Sequence, residues 1–100
     1  MALLKQNLET PVLDNADSMF ELQGWIDTAP FEDLVGIDIE SAADGRAVLT
    51  FPFLLKLAQG GGVLHGGALT TLADTAVAMA IKSLLPEKTV FATTDLSMHF

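Results

Sequence analysis

The run Gly60 to Ala76, reading GGGVLHGGALTTLADTA, constrains this chain more than any other stretch. Five glycines stand between Gly60 and Gly67, and apolar residues then recur at helical spacing, so a permissive loop passes directly into a helix. The spacing predicts that helix over Ala68 to Leu85. Ala68, Leu69, Leu72, Ala73, Ala76, Val77, Met79 and Ala80 cover most of its circumference, which predicts burial on nearly all sides.

Asp74 is the only charge between Lys56 and Lys82. A lone carboxylate is costly to bury, and the hydroxyls of Thr70 and Thr71 are the nearest helical groups able to satisfy it. Placed against a carbonyl, such a carboxylate serves as a general base toward water or as a nucleophile, and the residues leave both open. His65, Gly66 and Gly67 sit where the loop becomes the helix. The first amides of a helix lack internal partners and lie at the positive end of its dipole, so the Gly66 N–H is a candidate donor to an oxyanion.

Eight residues of helix between Gly66 and Asp74 span ~12 Å. A donor and a base acting on one carbonyl each need to be within ~3 Å of their reacting atoms. The spacing therefore predicts that Gly66 of one subunit works with Asp74 of another, at a dimer interface.

The rest of the chain reads as a frame for this stretch. Residues 1–15 have no firm period and contain Pro11, which marks them as a lead-in; a single domain is expected over residues 16–100. Asp17 or Ser18 is a suitable cap for a helix carrying Met19, Phe20, Leu22 and Ile26, ended by Pro30. A second helical turn, Phe31 to Leu34, is expected to stop at Gly36. Ile37, Ile39 and Ser41 alternate with Asp38 and Glu40 as in a half-buried strand, Asp44-Gly45 favours a tight hairpin, and the returning strand is predicted over Arg46 to Phe53. Pro-Glu-Lys ends the long helix, and Thr89 to Phe100 reads as a further strand. The class is α+β, an antiparallel sheet laid on a buried helix.

Composition excludes several functions. Thirteen acids against five bases give a net charge of −8 with no basic cluster, which disfavours nucleic acid and anionic membrane. The absence of cysteine removes a thiolate metal site and a cysteine nucleophile, and with only His65 and His99 no metal site is expected. The glycine run lacks the lysine of a P-loop, and no nucleophile elbow is present. The start MALLKQNLETPVLD has no long apolar core, so no signal peptide is expected, and a cytoplasmic location is the default.

The stretch GGGVLHGGALTTLADTAVAMA, with APFEDLVGIDI before it and TTDLSMHF after it, resembles hotdog-fold acyl-CoA thioesterases of the phenylacetic-acid-degradation (PaaI-like) subfamily, close kin of 4-hydroxybenzoyl-CoA thioesterases. The resemblance implies hydrolysis of an acyl-CoA with an aromatic or medium-chain acyl group by a dimer or dimer of dimers, without a cofactor. It sets Asp74 at the family's acid and Gly66 at the oxyanion amide. His65 shapes the loop and positions the thioester beside Gly67, Gln59 orients the thioester or the water, and Thr93 matches a position where some members place a hydroxyl near that water. Family members continue for several more strands and often carry their phosphate-binding bases there, so a C-terminally truncated sequence is the expectation.

Plainer readings stand beside these. His65 also fits a loop histidine bonded to backbone, Gln59 a polar loop residue and Thr93 an ordinary strand threonine, while Trp25, Phe20 and Phe31 suit packing better than an acyl pocket. A non-catalytic acyl-CoA-binding module is the rival function.

Overall fold

The computed structural model describes Glu9, Pro11 and residues 22–99. A six-residue helix, α1 (Pro30–Val35), opens the ordered frame. Pro30 is its first residue, where a missing N–H costs nothing, so this proline starts a helix where the sequence predicts one to end. Gly36 stops α1 with φ 89°, as expected of a residue without a Cβ. The expected earlier helix falls mostly outside the described residues. Its last part, residues 23–26, is a bend in which the Gln23 N–H reaches the Asp27 carboxylate.

Strands β1 (Asp38–Ala43) and β2 (Arg46–Thr50) form an antiparallel hairpin. Asp44 and Gly45 both have positive φ, 54° and 78°, which matches the twist of a two-residue hairpin and explains the Asp-Gly pair. Ile39 faces Leu49 and Ser41 faces Val48, leaving Glu40 as an extra residue in a bulge. The bulge shifts the alternation by one, so Ala42 takes the inward phase that the sequence pattern gives to Ser41, and Ser41 is exposed. β2 ends at Thr50, before the predicted Phe53, because Pro52 has no N–H for a ladder.

A short 3₁₀ turn at Leu55–Leu57 and a bridge between Ala58 and Leu64 carry the chain to the long helix α2 (Gly66–Lys82). Lys56 ties this turn to α1 by donating from Nζ to the Leu34 carbonyl at 3.0 Å. Val35, Ile37 and Leu57 form the buried core, with Leu49, Phe51, Leu64, Ala68 and Leu72 packed against it. Burial of each aliphatic side chain of this kind contributes about 1.5–3 kcal/mol.

α2 departs from the prediction of burial on all sides. Met79 is its one buried residue, and Val77 and Ile81 are 56% and 39% exposed. Among the described residues two strands lie against one face of α2, which leaves Val77 and Ile81 exposed. Residues 90–99 likewise carry no ladder hydrogen bonds, in place of the strand expected from Thr89 to Phe100, because no described strand lies alongside to receive them. They leave α2 through a turn in which the Thr89 N–H and hydroxyl both reach the Pro86 carbonyl. Among the described residues, no helix is long and apolar enough to cross a membrane.

Candidate functional site

The start of α2 is built by its own loop. The Gln59 N–H donates to the Val63 carbonyl and the His65 N–H to the Leu57 carbonyl, both at 2.8 Å, so the glycine run is folded back as a small hairpin that delivers His65 to the N-cap. The His65 Nδ1 accepts from the Gly67 N–H at 2.8 Å, which places the ring proton on Nε2. This is the backbone-bonded histidine of the plainer reading. Gly67 permits it, since a Cβ there would stand 3.0 Å from Nδ1.

With Gly67 capped, and with the Ala68 and Leu69 N–H groups both reaching the His65 carbonyl, the Gly66 N–H is left without an acceptor among the described residues. Its position at the head of a seventeen-residue helix makes it the open donor of this end. The arrangement suits an anionic oxygen.

The Gln59 Oε1 accepts from the Gly61 N–H within the loop, the kind of contact its plainer reading as a polar loop residue describes.

Asp74 lies two turns along α2 and is half-buried. The sequence offers Thr70 and Thr71 as its partners, but neither serves. Their hydroxyls donate to the carbonyls four residues back, Gly66 at 2.8 Å and Gly67 at 2.9 Å, the usual outlet for a threonine inside a helix. Thr93 takes the role instead, donating from Oγ1 to Asp74 Oδ1 at 2.8 Å across a separation of nineteen residues. No cation pairs with Asp74 among the described residues. The carboxylate thus has one oxygen engaged and Oδ2 available to a water or a carbonyl carbon.

The opposite end of α2 holds contacts that the sequence does not signal. Trp25 Nε1 donates to the Lys82 carbonyl at 2.8 Å, Lys82 Nζ donates to the Trp25 carbonyl at 3.1 Å, and the ammonium lies 4.7 Å from the indole centroid. The only available signal was the need of a tryptophan N–H for a partner. Phe31 is exposed, and Phe20 lies outside the described residues. A cavity of about 320 Å³ lined by Leu22, Gly24, Trp25, Glu87 and Lys88 sits at this end.

Residues 61–100 match the thioesterase superfamily. A Halobacterium salinarum protein that carries an esterase name is 34% identical over 92 residues, covering 87% of this chain and 61% of that protein. A 1,4-dihydroxy-2-naphthoyl-CoA hydrolase of Listeria monocytogenes is 38% identical over 61 residues, 60% of this chain and 50% of the hydrolase. A conserved protein of Pseudomonas aeruginosa, of known structure, is 36% identical and superposes with a TM-score of 0.56 over 63% of this chain and 50% of its own. The chain therefore spans about half to three-fifths of the length of these relatives. The hairpin and long helix described above are the α+β elements of a hotdog fold.

Proposed function

Because residues 61–100 carry a thioesterase-superfamily segment, we propose that this chain supplies half of each of two active sites that hydrolyse acyl-CoA thioesters. The observation that carries the reading is the pairing on one helix of Gly66, whose N–H is open among the described residues, with Asp74, whose carboxylate is held there by the Thr93 hydroxyl. Eight residues separate them by ~12 Å, which suits two sites shared between subunits better than one site within a chain. A homodimer, or a dimer of dimers, is the assembly that meets this geometry.

The reaction consumes water and releases a free acid and coenzyme A. In the first route, Asp74 takes a proton from water as its oxygen adds to the thioester carbonyl, and the Gly66 N–H of the other subunit holds the resulting oxyanion. Collapse of the tetrahedral intermediate expels the thiolate, which takes up the proton. In the second, an Asp74 oxygen attacks the carbonyl directly, the thiolate leaves, and water cleaves the mixed anhydride. The open Oδ2 serves either route, with Thr93 fixing the carboxylate. His65 and Gly67 act together as a cap that keeps the donor end of the helix in place, and Gln59 supports the loop beside the thioester.

The subfamily reading is the phenylacetic-acid-degradation type, with an aromatic or medium-chain acyl group, no cofactor and a cytoplasmic setting. The naphthoyl-CoA hydrolase among its relatives favours a CoA thioester over a simple ester. The test is thiol release from a panel of acyl-CoA esters by the purified chain, run beside ligand-induced thermal stabilisation. Release that disappears in Asp74→Ala supports hydrolysis. Stabilisation without release supports the acyl-CoA-binding module and overturns the enzyme. Solvent oxygen-18 in a single turnover separates the two routes.

A further inference from the structure

The contacts that hold the start of α2 all lie between Leu57 and Thr71, within one loop and the first turns of one helix. The His65 carbonyl accepts from the Ala68 and Leu69 N–H groups at 3.0 and 3.2 Å, so the peptide that carries the open Gly66 N–H is fixed on its carbonyl side. The Thr70 and Thr71 hydroxyls hold the next two carbonyls, those of Gly66 and Gly67. On the amide side the His65 ring is the one partner among the described residues, through Nδ1 and the Gly67 N–H. Two glycines in succession have no stiffness of their own, so the direction of the Gly66 N–H depends on that ring.

The bond has a chemical condition. Imidazole accepts at Nδ1 only while that nitrogen keeps its lone pair, and a histidinium donates from both nitrogens. A proton on Nδ1 sets N–H against N–H across 2.8 Å and puts a cation at the positive end of the helix dipole. His65 is exposed, which leaves the ring free to swing out. From Ala47 to Ala73 the other ionisable side chain is Lys56, whose ammonium is turned to the Leu34 carbonyl. Neighbouring elements bring Glu32 and Asp33, bonded to the Ala29 N–H and the Thr28 hydroxyl, Asp74, bonded to Thr93, and Asp95 and His99 after α2. Among the described residues no carboxylate pairs with His65 to hold a charged ring in place.

We propose that His65 is an acid-sensitive latch on the donor end of α2: the neutral ring, with its proton on Nε2, holds the first turn closed, and protonation of Nδ1 releases Gly67, lets the Gly66 N–H lose its direction and lowers turnover. The proposal rests on the reading of Gly66 as the oxyanion donor. Its sign is fixed by the lone pair. The latch is shut at higher pH and opens as pH falls through the range in which histidine takes up a proton.

The bond is read first, on the purified nitrogen-15-labelled chain. The coupling between the Gly67 amide nitrogen and His65 Nδ1 through their hydrogen bond should be present at about pH 8 and absent at about pH 5.5. Next, kcat/KM for an acyl-CoA ester is compared at both pH values in the parent, His65→Asn and His65→Ala. Asparagine offers an oxygen that accepts the same N–H whatever the pH. The ratio of the rate at higher pH to that at lower pH should be about tenfold larger in the parent than in His65→Asn, the factor to which a lost cap and an adverse charge at a helix start together amount. His65→Ala should share the shallow ratio of His65→Asn, with a lower rate at both. Protonation of Asp74 slows all three alike and cancels from the comparison.

A coupling that persists at the lower pH overturns the latch, as does a His65→Asn variant with the steep profile of the parent. Coupling lost on acidification in a chain that releases no thiol at any pH keeps the latch and removes the hydrolytic reading. Thiol release with the same profile in the parent and His65→Asn does the reverse.

Discussion

The two ends of α2 are finished in opposite ways. At the C-terminal end nearly every polar group finds a partner inside the chain: the Lys82 carbonyl takes the Trp25 indole N–H, the Lys82 ammonium returns to the Trp25 carbonyl, and Ser83 Oγ donates to the Ala80 carbonyl while accepting from the Gly45 N–H. At the N-terminal end His65 caps one amide and, among the described residues, leaves another without an acceptor. A closed end gains stability because each desolvated group is repaid by a partner. An open end forgoes that gain and keeps a directed donor for something outside the chain. Stability should therefore depend on the first end, and turnover on the second end and on Asp74.

The largest effect that tests this division is at Asp74. Asp74→Asn should lower acyl-CoA hydrolysis about 10²-fold or more while leaving the melting temperature within a few degrees of the parent, read by thiol release and calorimetry. A large fall in melting temperature with the rate retained would break the division at once.

Next comes the hairpin tip. A Cβ at Gly45 would stand 3.1 Å from Leu84 Cδ1, at a φ of 78° that side chains rarely adopt. Gly45→Val should cost about 2 kcal/mol, visible as roughly a 10 °C drop in thermal unfolding. Substrate specificity should be unchanged in the folded fraction.

Thr93→Val removes the hydroxyl that holds Asp74 and should lower kcat about tenfold with little change in KM, and Thr93→Ser should restore most of it. Equal losses in kcat and melting temperature would move Thr93 to the closed, structural side. The smallest effect is Trp25→Phe, which keeps an aromatic ring near Lys82 but removes the indole donor. It should cost about 1 kcal/mol in denaturant unfolding and leave hydrolysis at the parent rate.

What the sequence makes legible is what is chemically local. Asp44-Gly45 specifies its turn, Gly36 its helix stop, and the apolar period of α2 its existence, because each signal lies within a few residues of its effect. The candidate site is legible as residue types and spacing, and the family resemblance marks Thr93 without giving its bond to Asp74. Its detailed wiring is not. Thr70 and Thr71 are sequence neighbours of the carboxylate, yet helix carbonyls compete for their hydroxyls and win by proximity. The Glu40 bulge leaves no trace in an alternating pattern, since Ser41 and Ala42 fit either phase. The Trp25–Lys82 contact joins residues fifty-seven apart, and no local signal spans that distance. The sequence overstates the burial of α2 because composition shows which faces are apolar and not how many strands reach them.

The Lys82–Trp25 contact has one more use. Trp25 is the only tryptophan of the chain, and its ring lies beneath an ammonium group while its N–H is held by a carbonyl. The emission of that single indole therefore reports the docking of one helix end, far along α2 from the donor amide. Fluorescence can follow the closing of the stable end while thiol release follows the open one, giving each end its own optical or chemical clock in the same cuvette.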